Sequence, residues 1–83
     1  MKRIASISII VENADSTEKI NRLLHEYADI IIGRMGLPLR EYGISLITLC
    51  VMGEEGLVSA LSGALGRLDG VSVKASYAKK EIE

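Results

Sequence analysis

The order in which two hydrophobic periodicities follow one another restricts the fold of this chain more than any other feature. Residues 4–11 form a β-rich run in which every second position is apolar, while the positions between them mix isoleucine with serine. Alternation with a period of two is typical of a strand that buries one face. The chain therefore begins with a predicted strand whose buried face consists of Ala5, Ile7, Ile9 and Val11.

The helical period appears twice. Residues 20–27 place apolar side chains at the i, i+3, i+4 and i+7 spacing of an amphipathic helix, with Asp15 and Glu18 predicted as its capping pair. A second helix is predicted between residues 53 and 70, where acidic residues precede a leucine-rich stripe. We expect Gly63, inside this helix, to be required for close packing on the sheet. The stripe consists of Leu57, Leu61, Ala64, Leu65 and Leu68.

Three more β-rich runs complete the pattern, at residues 28–35, 44–52 and 71–77. A loop containing Gly36 and Pro38 is predicted to join the first two into a hairpin. The resulting order, βαββαβ, predicts an α+β, ferredoxin-like sandwich of a four-stranded antiparallel sheet with two helices on one face. We expect one domain over residues 1–78 and a frayed tail at 79–83.

The second sheet face has no helix to cover it. It should carry Ile4, Ser6, Ser8 and Ile10 from the first strand, and Leu46, Thr48, Cys50 and Met52 from the third. An 83-residue chain of which 48% is hydrophobic buries too small a fraction of its surface to be robust alone. We therefore predict a homo-oligomer, a dimer or a tetramer, that covers this face.

Charge and composition exclude several classes of function. The net charge of −1 supplies no cationic field for direct nucleic-acid binding, and no apolar run approaches the length of a membrane span. The single cysteine, Cys50, cannot form an intramolecular disulfide, which favours a reducing, cytoplasmic setting. No catalytic carboxylate pair, nucleophile triad, phosphate loop or cofactor fingerprint is present. The sequence thus predicts a protein that is not an enzyme and carries no cofactor.

The segment from residue 25 to residue 51 holds the candidate binding or interface residues. Two arginines and a tyrosine gather at the predicted loop, where they could form a subunit interface, pair with Asp29 or Glu41, or hold a carboxylate or phosphate. We favour the interface. The histidine is expected to lie on the surface near the end of the first helix, and Cys50 to be a small buried hydrophobe. The candidates are His25, Arg34, Gly36, Pro38, Arg40, Tyr42 and Leu46.

Two motifs carry a family resemblance. The stretches Gly-Arg-Met-Gly-Leu-Pro at 33–38 and Gly-Arg-Leu-Asp-Gly-Val at 66–71, together with most of the chain, resemble the small regulators associated with iron-only hydrogenase systems. The resemblance implies an ACT-like domain with a regulatory role in hydrogenase expression or assembly. It also implies a protein partner in hydrogenase expression or maturation.

A more distant similarity concerns the C-terminal domain of nickel-responsive repressors. The ligand pattern of that family, started at His25, falls on Gly36, Pro38 and Ile44, none of which binds nickel through its side chain. We therefore predict no metal site. The alternative function is amino-acid sensing, as in other ACT-type domains, for which Asn13 and Asp15 in the connection between first strand and first helix would contact the ligand.

Overall fold

A computed structural model describes all 83 residues. Its four strands are β1 (Lys2–Val11), β2 (Ile31–Leu39), β3 (Ile44–Glu54) and β4 (Val71–Ile82), and its two helices are α1 (Thr17–Glu26) and α2 (Glu55–Gly66). Short 3-10 turns cover Ala14–Ser16, Ala28–Ile30 and Arg40–Tyr42. The strands form one antiparallel sheet in the order β2-β3-β1-β4. The predicted ferredoxin-like fold class is confirmed.

The hydrophobic core lies between the two helices and the central strands. The predicted buried face of β1 is confirmed, and its side chains meet Leu49 and Val51 of β3 across a continuous register. Ile20 and Leu24 of α1 are buried against this layer, while Leu23 and Tyr27 are half-buried. Each large apolar side chain buried here contributes about 1.5–3 kcal/mol to folding. Period-two and period-3.6 patterns therefore identified the two sides of the core.

Helix α2 buries most of the predicted stripe, with Leu61 and Leu65 in the core and Ala64 and Leu68 half-buried, but the prediction is wrong at Leu57. Val58, Leu61 and Leu65 are fully buried, whereas Leu57 is 47% exposed. Leu57 and Val58 both fit the helical period at the start of the stripe, and the packing of α2 over β1, β3 and β4 buries Val58. The expectation for Gly63 is also wrong, because a Cβ atom at this position would meet only the end of the Arg67 side chain, at 3.4 Å.

Strand β2 is longer than predicted. Gly36 and Pro38 were expected in a loop, but they lie in the strand, where Gly36 pairs with Ile47 and Pro38 with Ser45. A proline is tolerated in an edge strand because its missing N–H need not serve the sheet. The connection is only the turn at residues 40–43, which Gly43 closes with a φ of 66°.

Strand β4 also extends beyond its predicted end. It continues to Ile82, which pairs with Lys2, so that residues 79–82 lie in a strand where we expected fraying. Arg3 supports this extension because its guanidinium donates to the Ala78 carbonyl at 3.3 Å and lies 4.9 Å from the centre of the Tyr77 ring. These are long-range contacts, and they have no local signature in the sequence of the tail.

The entry into α1 is fixed by Asn13 instead of the predicted capping pair. The Asn13 side chain accepts a hydrogen bond from the Asp15 N–H at 3.0 Å and donates one to the Asp69 carboxylate at 2.7 Å. The Ser16 hydroxyl donates to the Asp69 carbonyl at 2.6 Å. The β1–α1 connection is therefore tied to the turn that follows α2.

No helix of the structure is both long enough and apolar enough to cross a membrane.

Candidate functional site

The sheet surface opposite the helices, here called the outer face, is uncovered. Cross-strand pairing aligns Ile10 of β1, Leu46 of β3 and Leu37 of β2 in one row, with exposed fractions of 39%, 37% and 54%. Met35 of β2 is 68% exposed and pairs with Thr48 in the next row. Leu46, a predicted interface residue, thus lies at the centre of an exposed apolar row. The outer face is the first candidate interaction surface.

Cys50 lies on the outer face and is exposed. It pairs with Ser6 of β1 and Gly33 of β2, so that its neighbours in the two adjacent strands are small. The expectation of a buried cysteine is wrong for the single chain. The aliphatic sequence around it suggested burial, whereas its predicted place on the second sheet face agrees with the alternation observed in β3.

A groove runs along the helix side of β2, because α1 packs toward α2 and leaves this strand uncovered. The groove consists of four open clefts that share lining residues. We number the clefts from the one beside His25 to the one at the turn after β2. The first and second clefts share Arg34 and Asn21, and the second and third share Val11 and Thr17. The third and fourth share Arg40. We call this continuous feature the β2 groove.

Two predicted site residues lie at the first end of the β2 groove. His25, in the last turn of α1, and Arg34, in the middle of β2, line the same cleft of about 510 Å³. Ile31, Ile32 and Asn21 belong to its wall. The structure thus brings together an imidazole and a guanidinium that are nine positions apart in the sequence. It also confirms the surface position of His25.

The remaining predicted residues line the rest of the β2 groove. Gly36 and Pro38 belong to a cleft of about 260 Å³ between β2 and α1. Arg40 and Tyr42, in the turn after β2, line a cleft of about 390 Å³ at the far end, and Tyr42 is 74% exposed. Leu46 also lines the cleft of about 260 Å³, so all seven candidates line clefts along β2.

The arginines of the groove have no carboxylate partner. The ion pairs of the chain join the N-terminal amine to Glu54, Arg3 to Glu55, and Arg22 to Glu18. Neither Arg34 nor Arg40 forms the pair with Asp29 or Glu41 that we considered as an alternative. Two unpaired guanidinium groups therefore face solvent along the groove, which leaves the interface and anion-binding interpretations.

The sequence interpretation missed two residues of the outer face, Met35 and Leu37. A signal for them exists, since they alternate with Arg34, Gly36 and Pro38 in period two. The assignment of 36–43 to a loop concealed this alternation. Once β2 is extended to Leu39, the period places Met35 and Leu37 on the same face as Leu46.

The residues considered for a metal or a small ligand are not arranged as one site. His25 opens onto the helix side of the sheet and Cys50 onto the outer face, so that one ion cannot contact both side chains of the same chain. No group of three or more His, Cys, Asp or Glu side chains is close enough to hold a metal. In the β1–α1 connection, the amide of Asn13 is engaged by Asp15 and Asp69.

Comparisons with known proteins agree with this architecture. No curated protein matches the chain. Among solved structures, the uncharacterized protein TM1266 from Thermotoga maritima is 34% identical with a TM-score of 0.90, over 95% of this chain and 100% of that chain.

Two more distant matches show the fold alone. The C-terminal domain of the MgtC protein from Mycobacterium tuberculosis has a TM-score of 0.70 at 10% identity, over 96% of this chain and 92% of that chain. CPII, a nitrogen regulatory PII-like protein from Thiomonas intermedia, has a TM-score of 0.57 at 18% identity, over 96% of each chain.

The family comparison covers most of the chain. Residues 3–75 match the TM1266-like family, described as "Iron-only hydrogenase system regulator, putative". The matched range spans both helices and includes both motifs that carried the resemblance, at 33–38 and 66–71. The chain belongs to the TM1266-like family.

Proposed function

We propose that this protein is a non-enzymatic regulatory module of an iron-only hydrogenase system and that it acts through contacts with other proteins. The family supplies the hydrogenase connection. The groove and the outer face supply surfaces for contact, and the clefts contain no acid–base or nucleophile set of the kind that a hydrolase or transferase needs. The free thiol on an exposed face fits action in the reducing cytoplasm.

The observation that carries the proposal is the apolar row Ile10–Leu46–Leu37 on the outer face. A small domain without a disulfide or a metal gains stability when a second chain covers its exposed apolar surface. The apolar row that no helix covers supplies such a surface. We therefore propose a homo-oligomer, a dimer or a tetramer, that packs outer face against outer face. Arg34 and Arg40 remain outside that contact.

The oligomer can be tested with one matched pair of variants. Leu46→Glu places a charge in the apolar row, whereas Leu57→Glu places the same charge at a similarly exposed leucine of α2, on the other side of the sheet. Light scattering and sedimentation at micromolar concentration should show an oligomer for the wild-type protein and for Leu57→Glu. Leu46→Glu should be a monomer, because burying an unpaired carboxylate is costly.

A monomeric wild-type protein would overturn the proposed oligomer. Circular dichroism of Leu46→Glu separates loss of assembly from loss of folding, since the substitution lies at a position that is already 37% exposed in the single chain.

The link to hydrogenase is tested in the native host. We expect the tagged protein to capture a hydrogenase subunit, a maturation enzyme or a transcription factor of that system, and to do so only when hydrogenase is expressed. Deletion of the gene should change hydrogenase activity or transcript level, and which of the two changes distinguishes maturation from transcription. Unchanged activity and unchanged transcript after deletion would contradict the proposed role.

A further inference from the structure

The two edges of the sheet differ in how they are protected. Strand β4 carries several charged residues along its length, Lys74, Lys79, Lys80 and Glu81, whereas Arg34 is the single charged residue of β2. Charged side chains on an edge strand oppose the addition of another strand. Strand β2, with nine residues, is therefore the edge that remains open to pairing.

Pro38 indicates which backbone groups of β2 face the open side. A proline in an edge strand points its nitrogen away from the neighbouring strand, because no N–H is available for the ladder. The backbone of a strand repeats every two residues, so that the N–H groups of Gly36 and Arg34 share that outward direction. These two positions thus offer donors to an incoming strand.

The charges along the β2 groove select the chemistry of that strand. Arg34 in the middle, Arg40 at one end and His25 at the other line the groove, and neither arginine has a carboxylate within ion-pair distance. Among the groove's lining residues, Glu41 is the one acidic residue. On the other side of β2, the exposed side chains are apolar, Met35 and Leu37.

From these observations we infer that the edge of β2 binds an extended segment of a partner protein as an added strand. The segment alternates acidic with apolar residues: its carboxylates pair with Arg34 and Arg40, and its apolar side chains extend the surface of Met35 and Leu37. Main-chain hydrogen bonds supply affinity in this mode, and alternate side chains supply specificity. The inference rests on the proposed function, since it names the chemistry of the partner.

A strand fits the groove better than a small molecule does. Sites for small ligands enclose most of the ligand surface, whereas the β2 groove is a series of open clefts along the length of one strand. Beside these clefts, β2 also presents a row of unpaired backbone N–H and C=O groups. The backbone of another peptide strand matches this row with hydrogen bonds along its length.

The test uses two synthetic nine-residue peptides with blocked ends, at concentrations at which the peptides themselves are monomeric. One alternates valine with glutamate and the other valine with lysine. Each peptide is titrated into the isotope-labelled full chain. The glutamate peptide should shift the amide resonances of β2 and the side-chain resonances of Arg34. The lysine peptide should bind about tenfold more weakly or not at all, and added salt should weaken the binding of the glutamate peptide.

Two pairs of variants assign the contacts. Gly36→Pro removes an outward N–H and should abolish binding, whereas Gly36→Ala keeps it and adds a Cβ into open space, and should bind normally. Arg34→Ala should weaken binding of the glutamate peptide by about tenfold or more, and Arg34→Lys by less, because lysine keeps the charge but loses the planar fork. Circular dichroism checks that each variant is folded.

Three outcomes would overturn the inference. They are no binding of the glutamate peptide, equal binding of the two peptides, and unchanged binding by folded Gly36→Pro. If instead the folded Gly36→Pro protein is a monomer while the wild-type protein is an oligomer, a second copy of this chain occupies the edge of β2. The inference of a segment from a partner protein is then wrong. Failure of peptide binding while Leu46→Glu still abolishes assembly rejects the added strand and leaves the proposed oligomer standing.

Discussion

Gly70 lies directly against Asn13, where the turn after α2 meets the connection between β1 and α1. A Cβ atom at residue 70 would be 2.5 Å from the Asn13 Cβ, and the Gly70 backbone has a φ of 69°. The Gly70 carbonyl also accepts a hydrogen bond from the Glu12 N–H at 2.7 Å. The fifth residue of the Gly-Arg-Leu-Asp-Gly-Val motif, Gly70, must therefore be small and must adopt a left-handed conformation.

Gly70→Ala is expected to destabilise the protein by about 3 kcal/mol, because the clash with Asn13 adds to the cost of a left-handed alanine. Gly43→Ala is the matched control, since Gly43 has a similar φ of 66° but nothing within 4 Å of the added Cβ. It should cost only about 1 kcal/mol. Thermal unfolding at one fixed protein concentration measures both. Equal losses for the two variants would mean that the contact with Asn13 relaxes freely.

Gly63→Ala should raise stability by about 0.5–1 kcal/mol. Gly63 lies inside α2, where alanine is the better helix former, and the added methyl group meets only the flexible end of Arg67. Denaturant unfolding with unchanged slope would show the gain as a higher midpoint. Gly53→Ala is the opposite case, because its Cβ would approach Ile30 to 2.5 Å, and we expect a loss. A loss for Gly63→Ala would indicate a contact at this face of α2 from a second chain.

The reactivity of Cys50 should report the state of the outer face. Cys50 is exposed in the single chain and lies in the row next to Met35 and Thr48. If the oligomer buries this face, a maleimide should label the wild-type protein at least about tenfold more slowly than it labels Leu46→Glu. Labelling in denaturant supplies the common reference. Equal rates for the two folded proteins at micromolar concentration would place the subunit contact elsewhere.

The purified protein should hold no stoichiometric nickel, iron or zinc. His25 and Cys50 open onto opposite faces of the sheet, and two ligands are in any case too few for a four-coordinate site. Elemental analysis after dialysis checks this expectation. About one tightly bound metal per chain, lost on His25→Ala, would contradict it and would point to a site completed by a second subunit.

Periodicity by itself determined the architecture. The alternation in β1 and the i, i+3, i+4, i+7 spacing in α1 identified the buried side of each element correctly, because both depend on local geometry that every strand or helix shares. The same alternation in β3 placed Leu46 on the outer face. Four strands and two helices in this order leave few topologies, so the sandwich followed from the sequence.

Tertiary structure decided the boundaries and the groove. A proline such as Pro38 predicts a loop unless its strand lies at the edge of a sheet. Whether β2 is an edge strand depends on the order of all four strands. Alternation assigned Cys50 to the outer face, but only the tertiary structure shows that Cys50 is exposed there in the single chain. The C-terminal tail lies in a strand because Ile82 pairs with Lys2, which is 80 residues away in the sequence. His25 and Arg34 share a cleft only because α1 leaves β2 uncovered, and that depends on how the two helices pack on each other. Local patterns fix which face of an element is apolar, whereas contacts between distant segments fix which apolar faces stay open.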